Sequence, residues 1–326
     1  MKYYVGIDLG GTNIVAGVVN EAYSIVASAK CKTNCPRPAE EIISDMAKVA
    51  VEAVDKAGIT MEEVEWIGVG SPGMADTEAG VIVYANNLDF YDVPLRDMLE
   101  EKLHKKIYIG NDANAAAYGE FMAGAAKGSK SAIAITLGTG VGGGIIIDSK
   151  IYTGFNFAGA ELGHMTLVAN GRQCNCGRKG CYEAYASATA LIAFTKEAML
   201  ADKASKMWEL CDGDIDKVSG RTAFDGLRAG DVSAKAVTDK YIGYFSEGVI
   251  SIINIFQPEI LCVGGGISKE GDLLLDPVRH LLATECYSRF SKQSTKVVTA
   301  KLGNDAGVIG AALLGFAEKQ RCFRGK

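Results

Sequence analysis

Three of the nine cysteines of the chain stand within eight residues, in the stretch CNCGRKGC at 174–181. Cys174, Cys176 and Cys181 follow the pattern C-x-C-x4-C, and His164 precedes them by ten residues. Three thiolates and one imidazole match the ligand set of a closed tetrahedral zinc site. An iron–sulfur site or a group of buried or redox-active thiols is the alternative. Four protein ligands leave no coordination position for a substrate, so the zinc would be structural.

Two acidic residues flank this cysteine cluster. Glu161 lies three residues before His164, and Glu183 follows Cys181 by two residues. When one imidazole nitrogen binds a metal, the other is free to meet a polar ligand, and its tautomer is fixed. We therefore expect the zinc to hold a loop that orients Glu161, His164 and Glu183 toward one pocket, without taking part in the chemistry.

Three glycine-rich turns each follow an apolar stretch: DLGGT at 8–12, LGTGVGGG at 137–144 and VGGGIS at 263–268. Glycine lets a backbone approach a ligand closely, and successive amides that face one concavity bind anions. A single turn of this kind is usually a plain tight turn, but three in one chain favour the binding of a triphosphate. A dinucleotide site is excluded because a second strand, where that site needs a helix, is predicted after the turn at 137–144, and the P-loop motif is absent.

Two aspartates stand at the ends of predicted strands. Asp8 lies at the end of the first strand, between Ile7 and Leu9, and a carboxylate there can hold Mg²⁺ directly or through water. Asp112, in the stretch GNDANAAA, lies at a strand-to-helix junction. It could cap a helix that begins at Ala113, or accept a proton from a substrate hydroxyl. The phosphate turns favour the second role, which is compatible with the first.

The elements that must position these residues follow from hydrophobic periodicity. Val5, Ile7 and Leu9 alternate with other residues, which predicts a strand that ends in the first glycine-rich turn. The same succession of strand, turn and strand recurs in KSAIAITLGTGVGGGIIID, and such a repeat predicts a duplicated α/β domain. Helices are predicted at 180–200, around 232–256 and around 271–285. The last apolar helix is expected to pack back onto the first lobe.

The composition limits the class of protein. A chain of 326 residues is too long for one small core and favours two lobes. The net charge of −5 disfavours general affinity for nucleic acid, which needs a basic surface. No apolar run reaches the roughly 20 residues of a membrane span, and no export signal is evident. Nine cysteines without such a signal argue against a disulfide framework, so the cytoplasm is the expected compartment.

Five motifs together resemble the ROK family of sugar kinases and repressors. They are DLGGT, GNDANAAA, LGTGVGGG, ELGHM with GRQCNCGRKGCYE, and VGGG, and they cover essentially the whole chain. The stretch NGRQCNCGRKGCYEAYAS and the motif DVPL are most similar to the bacterial glucokinases of that family. The resemblance implies a duplicated ribonuclease-H-like α/β fold, that of the actin-like ATPases, with two lobes around a central cleft. We expect a small lobe at residues 1–115 with about 303–326, and a large lobe with the zinc motif at 116–302.

The resemblance also implies an activity and a set of site residues. The activity is ATP-dependent phosphorylation of the 6-hydroxyl of a hexose, most of all glucose, with Asp112 as general base. ATP with Mg²⁺ would bind Asp8, Gly10, Gly11, Thr12, Gly138, Thr139, Gly140, Gly264, Gly265 and Gly266. The hexose would bind Gly73, Asn111, Asp112, Glu161, His164 and Glu183, and structural Zn²⁺ would bind His164, Cys174, Cys176 and Cys181. A homodimer or tetramer is the assembly expected by resemblance.

Other functions stay open inside and outside this family. Related kinases act on mannose, fructose, allose, N-acetylglucosamine or N-acetylmannosamine, and the segment GFNFAGAELGH is shorter than the glycine- and alanine-rich form of many glucokinases. A sugar sensor without catalysis is disfavoured by Asp112, by the acidic charge and by a first phosphate motif that begins at residue 8, where no preceding DNA-binding segment fits. An actin- or chaperone-like ATPase would need neither the E-x-G-H motif nor the cysteines.

Overall fold

The computed structural model describes residues 2–322, except for the side chains of residues 320–322. The strands of this part of the chain are β1 (Tyr3–Leu9), β2 (Asn13–Asn20), β3 (Ile25–Lys32), β4 (Val64–Ser71), β5 (Met74–Asp76), β6 (Val81–Ala85), β7 (Phe90–Val93), β8 (Ile107–Asn111), β9 (Ala132–Leu137), β10 (Val141–Ile147), β11 (Lys150–Ile151), β12 (Ile260–Gly265) and β13 (Lys296–Thr299). The α-helices are α1 (Ala39–Lys56), α2 (Leu95–Leu103), α3 (Asp112–Met122), α4 (Glu183–Ala186), α5 (Ala188–Ala201), α6 (Thr222–Arg228), α7 (Val232–Phe256), α8 (Asp272–Glu285) and α9 (Ala306–Cys322). Within these described residues, no helix combines the length and the hydrophobicity that a membrane span requires.

The first sheet has five strands in the order β3-β2-β1-β4-β8. β1, β2 and β3 form an antiparallel meander, whereas β4 pairs in parallel with both β1 and β8. Asp8 lies opposite Gly70 of β4, and Gly70 lies opposite Gly110 of β8. The carboxyl ends of β1, β4 and β8 therefore meet at one edge of the sheet, and Asp8 and the residues after Gly110 are placed there.

Alternation along β1 directs its residues to two different helices. Val5, Ile7 and Leu9 are fully buried in a core that they share with α1. Between them, Gly6 faces the last helix, and a side chain at this position would overlap the carbonyl oxygen of Val308 in α9. The helix α9 packs on β1, β4, β2 and β8, which confirms that the last helix packs back onto the first part of the chain.

The second sheet repeats the topology of the first. Its order is β11-β10-β9-β12-β13. When the strands of each sheet are numbered by their position along the chain, both sheets have the order 3-2-1-4-5. The second and third strands pair antiparallel and the fourth and fifth pair in parallel, in both sheets. The identical order and the matching directions of these pairs confirm the predicted duplicated α/β fold.

The chain forms two compact units. The first contains the described residues of Met1–Ala134, Gly144–Ala160 and Lys301–Lys326, and the second contains Ile135–Gly143 and Glu161–Ala300. The first unit includes the first sheet, a small antiparallel sheet of order β5-β6-β7, and the helices α1, α2, α3 and α9. The predicted lobes, with their boundary near residue 115, are the parts of the chain expected to close on a substrate. Their bounds stay a prediction.

Two of the three helices predicted in the second half are confirmed, as α7 and α8. The helix predicted at 180–200 is interrupted, because α4 ends at Ala186 and α5 begins only after Ser187. The backbone of Ser187 is extended, with ψ at 164°, and its hydroxyl accepts a hydrogen bond from the N–H of Ala190 at 3.1 Å. A serine in this position starts a new helix instead of continuing the previous one.

Candidate active site

Two carboxylates lie at the carboxyl edge of the first sheet. Asp8 is the last residue but one of β1, and Asp112, the first residue of α3, directly follows β8. The strand between them contributes Gly70, where a Cβ would lie 3.4 Å from Cα of Asp112 and 3.2 Å from Cβ of Ala115. The small residue at this position leaves room for α3 to begin close to the sheet, and the two aspartates are brought together there.

Burial raises the pKa of both carboxylates. Burial and, to a lesser extent, the negative charge of Asp112 raise the pKa of Asp8 to about 6. Burial also raises the pKa of Asp112, against the effect of the N–H of Ala113, which donates a hydrogen bond to its Oδ1 at 2.8 Å. Two neighbouring carboxylates with little water around them are stabilised by a cation, and oxygen ligands of this kind suit Mg²⁺.

The last helix determines the space around Asp8. A Cβ at Gly307, in the first turn of α9, would lie 2.5 Å from Oδ2 of Asp8. The position of this carboxylate therefore depends on a residue near the other end of the chain. No local pattern in the sequence marks Gly307, because its neighbour is known only from the fold.

Asn111, and not Asp112, caps the helix α3, so that one of the two roles considered for Asp112 is wrong. Oδ1 of Asn111 accepts a hydrogen bond from the N–H of Asn114 at 3.0 Å. Its Nδ2 donates to the carbonyl oxygen of Gly73 at 3.1 Å. Gly73 has a φ of +85°, and a side chain there would overlap the backbone of β6. The structure thus brings three predicted sugar ligands together in the first unit, namely Gly73, Asn111 and Asp112.

The first glycine-rich turn joins β1 to β2, and hydrogen bonds within the turn and from Thr33 hold its backbone. The N–H of Gly10 donates to the carbonyl oxygen of Asn13 at 2.9 Å. The hydroxyl of the fully buried Thr33 donates to the carbonyl oxygen of Gly10 at 2.6 Å, and its N–H donates to that of Thr12 at 3.0 Å. These bonds fix the shape of the turn and leave Thr12 exposed at its tip.

The other two glycine-rich turns lie beside each other in the second unit. After β9, the N–H of Gly138 donates to the carbonyl oxygen of Gly140 at 3.0 Å, and the N–H of Ala188 donates to that of Gly138 at 2.9 Å. At the end of β12, Gly265 has a φ of +86°, and a side chain there would overlap the backbone of Leu137. Glycine at this position is required for the close approach of the two turns.

The four predicted zinc ligands converge within the second unit. The ligand atoms of His164, Cys174, Cys176 and Cys181 all lie within 4.8 Å of one another. Nδ1 of His164 is 3.8 Å from Sγ of Cys174, and the Sγ atoms of Cys176 and Cys181 are 3.6 Å apart. Two thiolates bound to one tetrahedral zinc ion, with Zn–S bonds of about 2.3 Å, are separated by roughly 3.7 Å. The arrangement therefore fits a closed site with four ligands.

The loop that carries the cysteines reverses its direction at two glycines, Gly177 and Gly180, whose φ angles are +88° and +82°. The N–H of Cys174 donates to the carbonyl oxygen of Arg178 at 2.9 Å, which closes the reversal. Without a cation, burial raises the pKa of Cys174 to about 12. A thiolate at this position would be stabilised by a bound metal ion.

Glu183 connects the cysteine loop to the glycine-rich turn after β9. Its Oε2 accepts a hydrogen bond from the N–H of Val141 at 2.9 Å, and its Oε1 lies 3.6 Å from Sγ of Cys174. Glu161 directly precedes the short 3₁₀ helix that ends at His164. Of the predicted sugar ligands in this unit, Glu183 and His164 thus both adjoin Cys174, and Glu161 lies one helical turn away along the chain.

The chain is similar to known proteins over nearly its full length. A family model described as the ROK family matches residues 4–318. The glucokinase of Thermotoga maritima is 38% identical over 309 residues, which cover 94% of this chain and 95% of that protein. Among solved structures, a ROK family glucokinase from Streptomyces griseus in complex with glucose and AMPPNP has a TM-score of 0.81 and 36% identity, with 96% of this chain and 98% of that chain covered. The ROK hexokinase from Thermus thermophilus has a TM-score of 0.78 and 32% identity, with 98% and 99% covered. This chain therefore belongs to the ROK family.

Proposed function

We propose that this protein is an ATP-dependent kinase that phosphorylates the 6-hydroxyl of a hexose, with glucose as the preferred sugar. The observation that carries the proposal is the partly buried pair of Asp8 and Asp112 at the carboxyl edge of the first sheet, in a chain with three glycine-rich turns. Similar proteins named as glucokinases, one of them solved with glucose and AMPPNP, support the choice of substrates.

Asp112 is the proposed general base. Its carboxylate accepts the proton of the sugar's 6-hydroxyl while that oxygen forms a bond to the γ-phosphorus of ATP. The bond from this phosphorus to the β–γ bridging oxygen breaks, and ADP leaves with the electron pair. Burial raises the pKa of Asp112 and so makes it a stronger base than an exposed aspartate. Proton transfer of this kind accelerates a reaction by about 10²–10⁴-fold.

The phosphates of ATP are proposed to bind the backbone amides of the first two turns, at Gly10, Gly11 and Thr12 and at Gly138, Thr139 and Gly140. The third turn, at Gly264, Gly265 and Gly266, would adjoin the nucleoside. Asp8 would hold Mg²⁺ directly or through water, and the bound ion would neutralise charge on the phosphates. Positioning and charge neutralisation account for most of the remaining acceleration.

The sugar hydroxyls are proposed to bind Asn111, Glu161, His164, Glu183 and the backbone near Gly73. Asn111 is held at both ends of its amide by Asn114 and Gly73, so its orientation is set before the sugar arrives.

A structural zinc ion would be held by the cluster of His164, Cys174, Cys176 and Cys181. Its contribution would be to fix the loop from which His164 and Glu183 extend. The contact between Glu183 and Cys174 supports this role, because it joins the cluster directly to a proposed sugar ligand.

The first experiment measures ADP release in a coupled assay with Mg–ATP and a panel of hexoses and N-acetylhexosamines. We expect glucose to give the highest kcat/KM. Preference for another sugar would change the substrate and direct attention to residues 154–161, the segment that ends at the proposed ligand Glu161. No turnover with any sugar would overturn the proposal in favour of a sugar sensor.

The role of Asp112 is tested by Asp112→Asn, with Asp55→Asn on the exposed face of α1 as the control. Turnover should fall by about 10²–10⁴-fold in the first variant, with glucose binding largely retained, and should be unchanged in the control. Turnover of Asp112→Asn within a few-fold of the parent would refute the role of base.

The cytoplasm is the compartment we propose, and a homodimer or tetramer is the assembly. The compartment rests on the cysteine usage of the chain, and the assembly rests on the resemblance to the family. Light scattering on the purified protein should give two or four times the chain mass of 34.4 kDa. A mass of one chain would rule out both assemblies.

A further inference from the structure

Glu120 is a buried acid to which the proposed mechanism gives no role. It lies in the last turn of α3 and is only 2% exposed. Its carboxylate accepts hydrogen bonds from three backbone N–H groups, those of Ala125 at 2.7 Å, Lys301 at 3.0 Å and Leu302 at 2.7 Å. The first bond closes the turn after α3. The other two fasten the segment that leads into α9, more than 180 residues further along the chain.

The two helices that Glu120 connects are packed through glycines. A Cβ at Gly310 of α9 would overlap the carbonyl oxygen of Ala115 in α3. A Cβ at Gly119 of α3 would lie 2.5 Å from the carbonyl oxygen of Ala306 in α9. Glycines at the contact let the two helix backbones approach closely. They provide no side chains that interdigitate, so the helices resist sliding along each other less than helices with interlocked side chains do. The hydrogen bonds of Glu120 fix the end of α3 relative to the segment that leads into α9.

The same two helices also position the two aspartates. Asp112 is the first residue of α3. Gly307 lies in the first turn of α9, close enough to Asp8 that a Cβ there would be 2.5 Å from its Oδ2. A displacement of the start of α9 relative to α3 would therefore move the surroundings of Asp8 relative to Asp112.

We infer that Glu120 is a positioning residue, which braces α3 against the start of α9 and thereby holds Asp8 and Asp112 in the arrangement that phosphoryl transfer requires. This inference rests on the proposed function of the two aspartates. Glu120 is not one of the proposed substrate ligands and acts only through the helices.

The number of hydrogen bonds explains why a carboxylate is needed. An ionised carboxylate has two oxygens with about four lone-pair sites, which is enough for three N–H donors. Glutamine has one acceptor oxygen, and its NH₂ group would face at least one of the three N–H groups. Leaving a buried N–H unpaired is unfavourable, so the segment at Lys301 and Leu302 should shift in a Glu120→Gln variant.

The test is Glu120→Gln in the full chain, with glucose and Mg–ATP. We expect kcat to fall by about 10- to 100-fold, the effect of misplaced reacting groups. The Kd for glucose, measured calorimetrically without ATP, should stay within about threefold, because none of the proposed sugar ligands is replaced. A merely structural residue would not separate kcat from binding in this way.

The matched control is Asp231→Asn in the second unit. Asp231 is 7% exposed, and it accepts hydrogen bonds from the backbone N–H groups of Lys206 and Ala234, each at 2.6 Å. Its variant should lower the melting temperature as Glu120→Gln does, but leave kcat within about twofold. An equal loss of kcat in both variants would assign the effect to general destabilisation and overturn the inference.

Glu120→Asp is the second variant, because it keeps the charge and shortens the reach by one methylene group. If Glu120→Gln does not fold, a lower kcat with parental glucose affinity in Glu120→Asp supports the brace. A folded Glu120→Gln variant with parental kcat would overturn the brace and leave the kinase proposal intact. If only Glu120→Asp folds, parental kcat in that variant would have the same consequence. Parental turnover in Asp112→Asn, or no turnover by the parent, instead overturns the proposed function on which the brace depends.

Discussion

The surroundings of Asp8 oppose the ionisation of its carboxyl group. Burial and the charge of Asp112 raise its pKa from an ordinary 3.8 to about 6. A folded state with the higher pKa binds the proton more tightly than the unfolded chain does. The stability that comes from protonated Asp8 is therefore fully present below the unfolded pKa, and it is lost as the pH rises through the folded pKa. At neutral pH an ionised Asp8 therefore lowers the stability of the fold, and a bound cation would offset this loss.

The Asp8→Asn variant should therefore be more stable than the parent at pH 7.5 without Mg²⁺, by a few degrees in melting temperature. The difference should disappear at pH 4, where the parent carboxyl is protonated. The same change should weaken Mg–ATP binding by about tenfold or more, which corresponds to 1.4 kcal/mol. Calorimetric melts at the two pH values and a nucleotide titration check both effects. A variant that melts below the parent at pH 7.5 would contradict this account.

At the scale of elements, the contact between α3 and α9 requires glycine at position 310, whereas α7 has room for a side chain at Gly243. A Cβ at Gly310 would overlap the backbone of α3, but a Cβ at Gly243 of α7 would meet nothing within 4 Å. Gly310→Ala should destabilise the protein by about 1–3 kcal/mol, as overpacking does. Gly243→Ala should stabilise it by about 0.5–1 kcal/mol, because alanine loses less backbone entropy in a helix. Denaturant unfolding of both variants measures the contrast, and equal effects would contradict the packing argument.

The loop at 174–181 carries the three cysteines of the proposed zinc site. Cys176 is exposed, whereas Cys174 and Cys181 are buried, so Cys176→Ala removes a metal ligand with little loss of packing. We expect about one zinc ion per chain in the parent, and a metal affinity reduced by at least about 10- to 100-fold in the variant. Glucose binding should weaken with it, because His164 and Glu183 lose their support.

Metal analysis and a glucose titration of the same preparations test this dependence, with Cys35→Ala outside the cluster as the control. The control should keep both zinc and glucose affinity. A metal-free parent with full activity would rule out the structural role of zinc.

At the scale of the whole molecule, local patterns predicted the fold and the motifs, whereas contacts between distant residues were beyond them. The alternation of Val5, Ile7 and Leu9 and the repeated strand–turn–strand pattern are local, and both are confirmed by the two sheets of equal topology. The cap of α3 was misplaced by one residue, since Asn and Asp are equally good caps and adjacent in the chain. The contact of Gly307 with Asp8 leaves no local signal, because it exists only in the folded chain.

Ligand binding by the whole molecule should appear as stability. A sugar that binds only the folded chain raises the free energy of unfolding by about 2.7 kcal/mol at 100 times its Kd. We expect glucose to raise the melting temperature more than the other hexoses and N-acetylhexosamines do at equal concentration. The order of these shifts should follow the order of kcat/KM, because the same side chains would hold the sugar in both measurements.

Comparison of the two orders separates the kinase from a sensor. In the kinase, Asp112→Asn should retain most of the glucose-induced shift while its turnover is lost, since the base is needed for proton transfer more than for binding. In a sensor, one sugar would stabilise the parent strongly and yet never be phosphorylated. That result would retain the fold and the sugar-binding residues, but it would leave Asp112 without a catalytic role and its pairing with Asp8 without an explanation.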